Sequence, residues 1–218
     1  MTSNSDKIGA VIIISAPSGT GKTSLVQQLV QRVDDIEVSV SHTTRPPRAG
    51  EIDGTHYHFV DRPQFAALVA QDDMLEYAQV FDNMYGTSGS FVAERLQAGK
   101  DVILEIDWQG AAIARRKLDN VVSIMILPPS QDALAERLRG RGKDASDVIA
   151  RRLDEATQEM SHYAEFDYLV VNDQFERALH ELCAIVTGER LRSSRQQRQL
   201  GGLLDDLMAP SSTLAANG

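Results

Sequence analysis

Short unbroken apolar runs alternate along this chain with longer stretches in which apolar residues recur every three or four positions. Val11–Ile14 is the first run. Leu25, Val26, Leu29, Val30 and Val33 then mark one face of a helix ending near Val33, where Asp34 and Asp35 break the stripe. Runs return at Asp101–Ile106, Val121–Leu127 and Tyr168–Val171. Helical spacing returns at about Gln109–Leu118, Gln131–Arg139, Ala145–His162 and Gln174–Arg192. Apolar strands alternating with helices predict an α/β fold whose parallel sheet is covered on both faces. Ligands of such sheets bind beyond the carboxyl ends of the strands.

The texture changes between Ile36 and Ala98. Glu37–Thr44 alternates as a strand does, Tyr57–Val60 does so more weakly, and proline and glycine crowd Arg45–Gly54 between them. Pro63 opens a short helix, Gly86–Gly89 reads as a turn, and Ser90–Ala98 as a helix stopped by Gly99. The expected organisation is a core of residues 8–35 and 100–192, with an insert at 36–99. A tail at 193–218 is either a helical extension or disorder.

At 218 residues this suits one large domain, or a core domain with a small insert. The net charge of −9 argues against general nucleic-acid binding, so any arginine cluster becomes informative. The single cysteine, Cys183, excludes an internal disulfide and follows Leu179 on an apolar helical stripe, where it reads as a core residue. No apolar run approaches a membrane span, and Ala10–Ile14 is too short for a signal peptide. A cytoplasmic protein without a membrane partner is expected. A homo-oligomer is left open.

The strongest chemistry lies between the first strand and first helix, in Ala16, Pro17, Ser18, Gly19, Thr20, Gly21, Lys22 and Thr23. Strand, glycine turn and helix are what a nucleotide phosphate site needs. Backbone N–H groups close around phosphate oxygens, lysine reaches the β- and γ-phosphates, and Thr23 can hold Mg²⁺. Ala16 stands where the G-x-x-x-x-G-K-[ST] pattern has its first glycine, which requires a negative φ at that residue.

Other candidates carry two readings each. Glu105 and Asp107, spaced to share one strand face, could hold Mg²⁺ through water; a helix N-cap is the lesser reading for Asp107. Arg45 and Arg48 flank a stiff proline pair and suit bidentate phosphate contact, with Tyr57 and Tyr85 as hydroxyl donors; a solvated basic loop is the other reading. Arg137, Arg139, Arg141, Arg151 and Arg152 surround a glycine-containing break between two amphipathic helices. They form either a closing lid or an exposed charged face. His42, His56 and His58 lack the neighbours and spacing of a zinc site.

Taken together, APSGTGKT, SVSHTTRPPRAGEIDGTHYHFV, LEYAQVFDNMYGTS, LEIDWQGA, ERLRGRG and VND resemble, in order, the blocks of the guanylate kinase family, bacterial type. The resemblance covers about Ala10 to Arg192. It implies a P-loop nucleoside monophosphate kinase fold with a small mixed GMP-binding insert and a helical lid at about 130–160. It also implies Mg²⁺-dependent transfer of the γ-phosphoryl group of ATP to GMP. Carried over by position, Lys22 and Thr23 serve ATP and magnesium, and Asn172 lies on the adenine side. Arg45, Arg48, Tyr57 and Tyr85 hold the GMP phosphate, while Ser41, Glu76, Thr87 and Asp107 face the guanine. Arg137, Arg141 and Arg152 match lid arginines. A catalytically inactive, phosphopeptide-binding relative is the alternative, but such modules have degraded phosphate loops. A GTP-hydrolysing switch would need an N-K-x-D block, which the chain lacks.

Overall fold

A computed structural model describes residues 9–80, 82–140 and 146–209. The core is a five-stranded, all-parallel sheet in the order β2-β7-β1-β8-β9. Its strands are β1 (Val11–Ser15), β2 (Ile36–Val38), β7 (Asp101–Leu104), β8 (Val121–Leu127) and β9 (Tyr168–Val171). Every residue of β1 and β7 is buried. This explains the unbroken apolar runs, because a strand covered on both faces has no polar side to show.

Successive side chains on β1 face opposite layers. Ile12 and Ile14 pack with Leu25 and Leu29 of α1 (Lys22–Arg32), and with Leu179 and Leu182 of α7 (Phe175–Arg190). Val11 and Ile13 pack in the other layer with Val92 of α3 (Gly89–Gln97) and Ala111 of α4 (Trp108–Lys117). A second, four-stranded mixed sheet runs β4-β3-β6-β5. It consists of β3 (His42–Thr43), β4 (His58–Phe59), β5 (Met74–Val80) and β6 (Asn83–Ser88), with α2 (Arg62–Ala70) between β4 and β5. After β8 come α5 (Gln131–Gly140) and α6 (Ser146–Ser161), which meet through Leu134, Leu138 and Ala156. The tail forms α8 (Ser193–Gln199) and α9 (Gly201–Met208), so it is helical up to Met208.

Four local expectations need correction. Glu37–Thr44 is not one strand. Ile36–Val38 pairs with Asp101–Ile103 at the edge of the core sheet, and only His42–Thr43 belongs to the insert sheet. The segment Gly86–Gly89 is no turn, since β6 runs through Ser88 and α3 begins at Gly89. Gly86 serves packing: a Cβ there would lie 3.0 Å from the Glu76 carbonyl oxygen and from the Tyr77 Cβ across the hairpin. The strand Met74–Val80 was not foreseen. Finally, β7 stops at Leu104, so Glu105 and Asp107 stand on the connection to α4 and share no strand face.

The tail is tied to the core by one buried carboxylate. Asp101, 1% exposed, accepts from Arg190 Nε at 2.8 Å, Arg195 Nη2 at 2.7 Å and the Ala10 backbone N–H at 2.7 Å. Asp101→Asn would leave two guanidinium groups without their anion, and should cost about 3–5 kcal/mol in chemical denaturation. An unchanged denaturation midpoint would show that the tail helices dock without it.

Candidate active site at the carboxyl end of the sheet

Beyond the carboxyl ends of β1 and β7 lies a cleft of about 380 Å³. One wall is the turn between β1 and α1, from Ala16 to Thr23. Gly19 and Gly21 adopt φ of +92° and +90°, the left-handed region open to glycine. Ala16 is not among the positive-φ residues, which explains why alanine is accepted there. Lys22 and Thr23 open α1 directly over this turn, and Lys22 Nζ lies 3.8 Å from a carboxylate oxygen of Glu105. Thr20 does not line the cleft: its buried hydroxyl donates to the Pro17 carbonyl at 2.8 Å and braces the turn.

Asn172 stands behind the same wall. It is 6% exposed, and its Nδ2 donates to the Thr20 carbonyl at 2.6 Å, so it bolts β9 to the turn and does not line the cleft. A Cβ on Gly21 would meet that Nδ2 at 2.7 Å, so this glycine also makes room for the bolt.

The opposite wall comes from the insert. Ser41, Tyr57, Glu76 and Tyr85 line it, and Asp107 and Glu105 join from the core side. Glu76 is 3% exposed and accepts from Thr87 Oγ1 at 2.6 Å; Thr87 itself lies buried behind it. Burial pushes the Glu76 carboxyl up to about 7, against the Thr87 hydrogen bond and with a further upward push from Asp107. Gly110 permits the arrangement: a Cβ there would lie 2.9 Å from Glu76 Oε2. Asp107 is both an N-cap and a wall residue, since Oδ1 accepts from the Gly110 N–H at 2.9 Å while the residue lines the cleft.

The two insert arginines flank this wall and do not line the cleft themselves. Arg45 donates through Nη1 and Nη2 to Glu51 at 3.0 and 2.8 Å, and the Arg48 backbone N–H donates to Glu51 at 2.6 Å. Hydrogen bonding to Arg45 and then to Arg48 holds the Glu51 carboxyl down at about 2. The loop is therefore built to hold an anion, and Glu51 is the one it holds. The Arg45 guanidinium also sits 5.5 Å from the centre of the Tyr57 ring, which meets Tyr85 edge-on at 5.9 Å.

Of the remaining candidates, Arg137 Nη2 donates to the Asn172 carbonyl at 2.9 Å. Arg152 is half-buried on α6. Arg141 lies outside the described residues. Four wall residues were not foreseen: Ala78, Gly86, Ile106 and Glu159. Ala78 carries no polar signal at all. Glu159, on α6, sits beside the apolar stripe of Ile149, Leu153, Ala156 and Met160, and a charge next to a stripe looks like ordinary helix surface. Among the described residues no group of three His, Cys, Asp or Glu side chains could hold a metal ion. No helix among them is long and apolar enough to cross a membrane.

Comparison with known proteins points to one family. The family model described as guanylate kinase matches residues 9–189. The chain is 58% identical to a guanylate kinase of Alcanivorax borkumensis, over 92% of this chain and 97% of that one. It is 56% identical to one of Alkalilimnicola ehrlichii, over 92% and 98%. A crystal structure of guanylate kinase from Anaplasma phagocytophilum superposes with a TM-score of 0.75 at 34% identity, covering 94% of this chain and 97% of that one.

Proposed function

The chain belongs to the guanylate kinase family, and from that membership and the geometry of the cleft we propose how its residues share out the reaction. The fold is that of a P-loop nucleoside monophosphate kinase, and the activity is transfer of the γ-phosphoryl group of ATP to GMP, giving ADP and GDP. One observation carries the assignment of roles. A lysine-bearing phosphate turn faces a buried carboxylate and two tyrosines across one cleft, and the Arg45 guanidinium flanks that wall 5.5 Å from the centre of the Tyr57 ring.

On the donor side, backbone N–H groups of Ser18 to Gly21 take the phosphates, and Lys22 leaves Glu105 for the β- and γ-oxygens. Thr23 supplies one hydroxyl, with Glu105 and Asp107 in reach through water. A single hydroxyl, water and nucleotide phosphates suit Mg²⁺, which keeps most of its waters and needs no protein cage. When bound, the ion neutralises charge on the transferring group. Asn172 supports the adenine side by fixing the turn.

On the acceptor side, Arg45, Arg48, Tyr57 and Tyr85 hold the GMP phosphate, which takes over the anion role of Glu51. Ser41, Thr87 and Asp107 frame the base, and Glu76 reads it. Guanine offers a ring N–H and an amino group to one carboxylate; adenine lacks that donor pair. The insert (36–99, less the strand that β2 lends to the core) and the lid, with Arg137, Arg141 and Arg152, close over both nucleotides. Closure excludes water that would otherwise take the phosphoryl group. Catalysis is then mostly positioning and charge neutralisation of two polyanions.

The Glu76 value gives a pH prediction. GMP binding requires the ionised carboxylate, so kcat/KM for GMP should fall about tenfold per unit as pH drops below about 7, a limb that Glu76→Gln removes. The folded state holds this proton more tightly than the unfolded chain. Stability from Glu76 is thus greatest below 4.5 and is lost as pH rises through about 7. Glu76→Gln should therefore raise Tm at pH 8 while cutting kcat/KM for GMP about a hundredfold or more. An unchanged preference for GMP over AMP would remove Glu76 from this role.

The reading as a whole is tested by ADP formation from ATP with and without GMP. Formation that depends on GMP is expected. ATP consumption indifferent to GMP, or none, would favour the phosphopeptide-binding alternative or another acceptor.

A further inference from the structure

Helix α6 brings into the donor site a carboxylate that the roles above do not use. Glu159 lines the cleft, and Ser15 Oγ donates to its Oε1 at 3.0 Å. Ser15 is the last residue of β1 and is fully buried; the next residue, Ala16, opens the phosphate turn. Burial raises the Glu159 carboxyl, opposed by the nearby Lys22 ammonium and by the Ser15 hydrogen bond. Three residues later His162 stacks on Trp108 with ring centres 3.6 Å apart and planes 7° from parallel. Trp108 directly follows Asp107. His162 also meets Glu165, whose carboxylate pairs with Arg115 of α4 at 3.4 Å. The C-terminal end of α6 is thus fixed to the core twice, beside the donor turn and beside the connection that carries Asp107.

Arg152 lies seven residues before Glu159 on the same helix. Seven residues are two turns, so the two positions share a side, about 10 Å apart along the axis. We propose that Glu159 is a positioning residue: its bond to Ser15 seats α6 on the root of the phosphate turn and so aims Arg152 at the donor phosphates. A half-buried carboxylate with a hydroxyl partner is a costly way to fasten a helix for stability alone, and a cost of that kind fits a functional constraint. The inference rests on Arg152 acting as a lid arginine, as set out above.

Single-turnover rates at saturating ATP and GMP test it in four variants and one double variant. Arg152→Ala should slow transfer about a hundredfold and Glu159→Ala about tenfold. Glu159→Gln should restore the rate to within about threefold of the wild type, because an amide oxygen can still accept from the Ser15 hydroxyl. In the Arg152→Ala background Glu159→Ala should cost less than about twofold more, since there is then nothing left to aim. Ser15→Ala should reproduce the Glu159→Ala loss, and it carries the same comparison if Glu159→Ala does not fold.

Wild-type speed in Arg152→Ala would overturn both the lid assignment and this inference. A slow Arg152→Ala with an undiminished tenfold Glu159 effect on top of it would overturn the positioning role alone. So would Glu159→Ala at wild-type speed. A Glu159→Gln variant as slow as Glu159→Ala would also overturn it, by showing that the charge facing Lys22 matters and not the bond to Ser15.

Discussion

Replacing Lys22 with alanine lowers phosphoryl transfer on the order of a thousandfold and leaves Tm within a few degrees of the wild type. Lys22 opens α1 next to the phosphate turn and lines the cleft, where on the proposed reading its charge meets the group that moves. The ammonium contributes more as negative charge spreads over the transferring oxygens than it does in the ground state, so the loss falls mainly on kcat. The folded chain loses little, because the ion pair with Glu105 at 3.8 Å is long and partly open to solvent, and such pairs are worth about 1 kcal/mol or less. A single-turnover assay beside a thermal melt checks both halves. Near-normal turnover, or collapse of the fold, would each contradict the role.

Replacing Arg45 with alanine raises KM for GMP on the order of a hundredfold and moves KM for ATP by less than about threefold. The guanidinium is held face-on near Tyr57 and fork-to-fork with Glu51, so its geometry is fixed before substrate arrives. Truncation removes the cation and also leaves the Glu51 carboxylate without the guanidinium that holds it down at about 2. The stranded carboxylate then repels the incoming phosphate, which deepens the loss. Arg45→Lys should recover only part of it, since a point charge cannot make the paired contact. Initial rates across GMP and ATP concentrations separate the two constants. Equal shifts in both KM values would place Arg45 in general folding and not in the acceptor site.

The central strands of the core could be read from sequence because they obey one rule, which the edge strand β9, with Leu169 and Val171 exposed, does not. Strands such as Val121–Leu127 are buried on both faces and therefore carry no polar residue that would obscure them, apart from Ser123, which is held by Asp167. The phosphate turn was legible for a similar reason: its glycines answer to local backbone angles, and Gly19 and Gly21 take them.

The insert was harder to read. β5 puts Glu76 in the middle of a strand and buries it, and a buried carboxylate breaks the alternation that identifies strands. β2 is three residues long and gains its place from pairing with β7, sixty-odd positions away, which no local pattern reports. The same holds for function. The proline-stiffened loop announced a pair of arginines, but not the carboxylate of Glu51 already seated on them. Asn172 was placed by resemblance on the adenine side, while the bond from its side chain to the Thr20 carbonyl is a long-range contact invisible in a single sequence. Glu159 was missed because a charge beside an apolar stripe is what every surface helix has.

Determining the crystal structure with an analogue that joins adenosine and guanosine through a phosphate chain tests the central claim most directly. The account predicts the adenosine-side phosphates about 3 Å from the turn N–H groups and Lys22, with the guanine edge about 3 Å from the Glu76 carboxylate and the guanosine-side phosphate on Arg45. An analogue bound with its guanine away from Glu76, and with Arg45 still fork-to-fork with Glu51 and touching no phosphate, would contradict it.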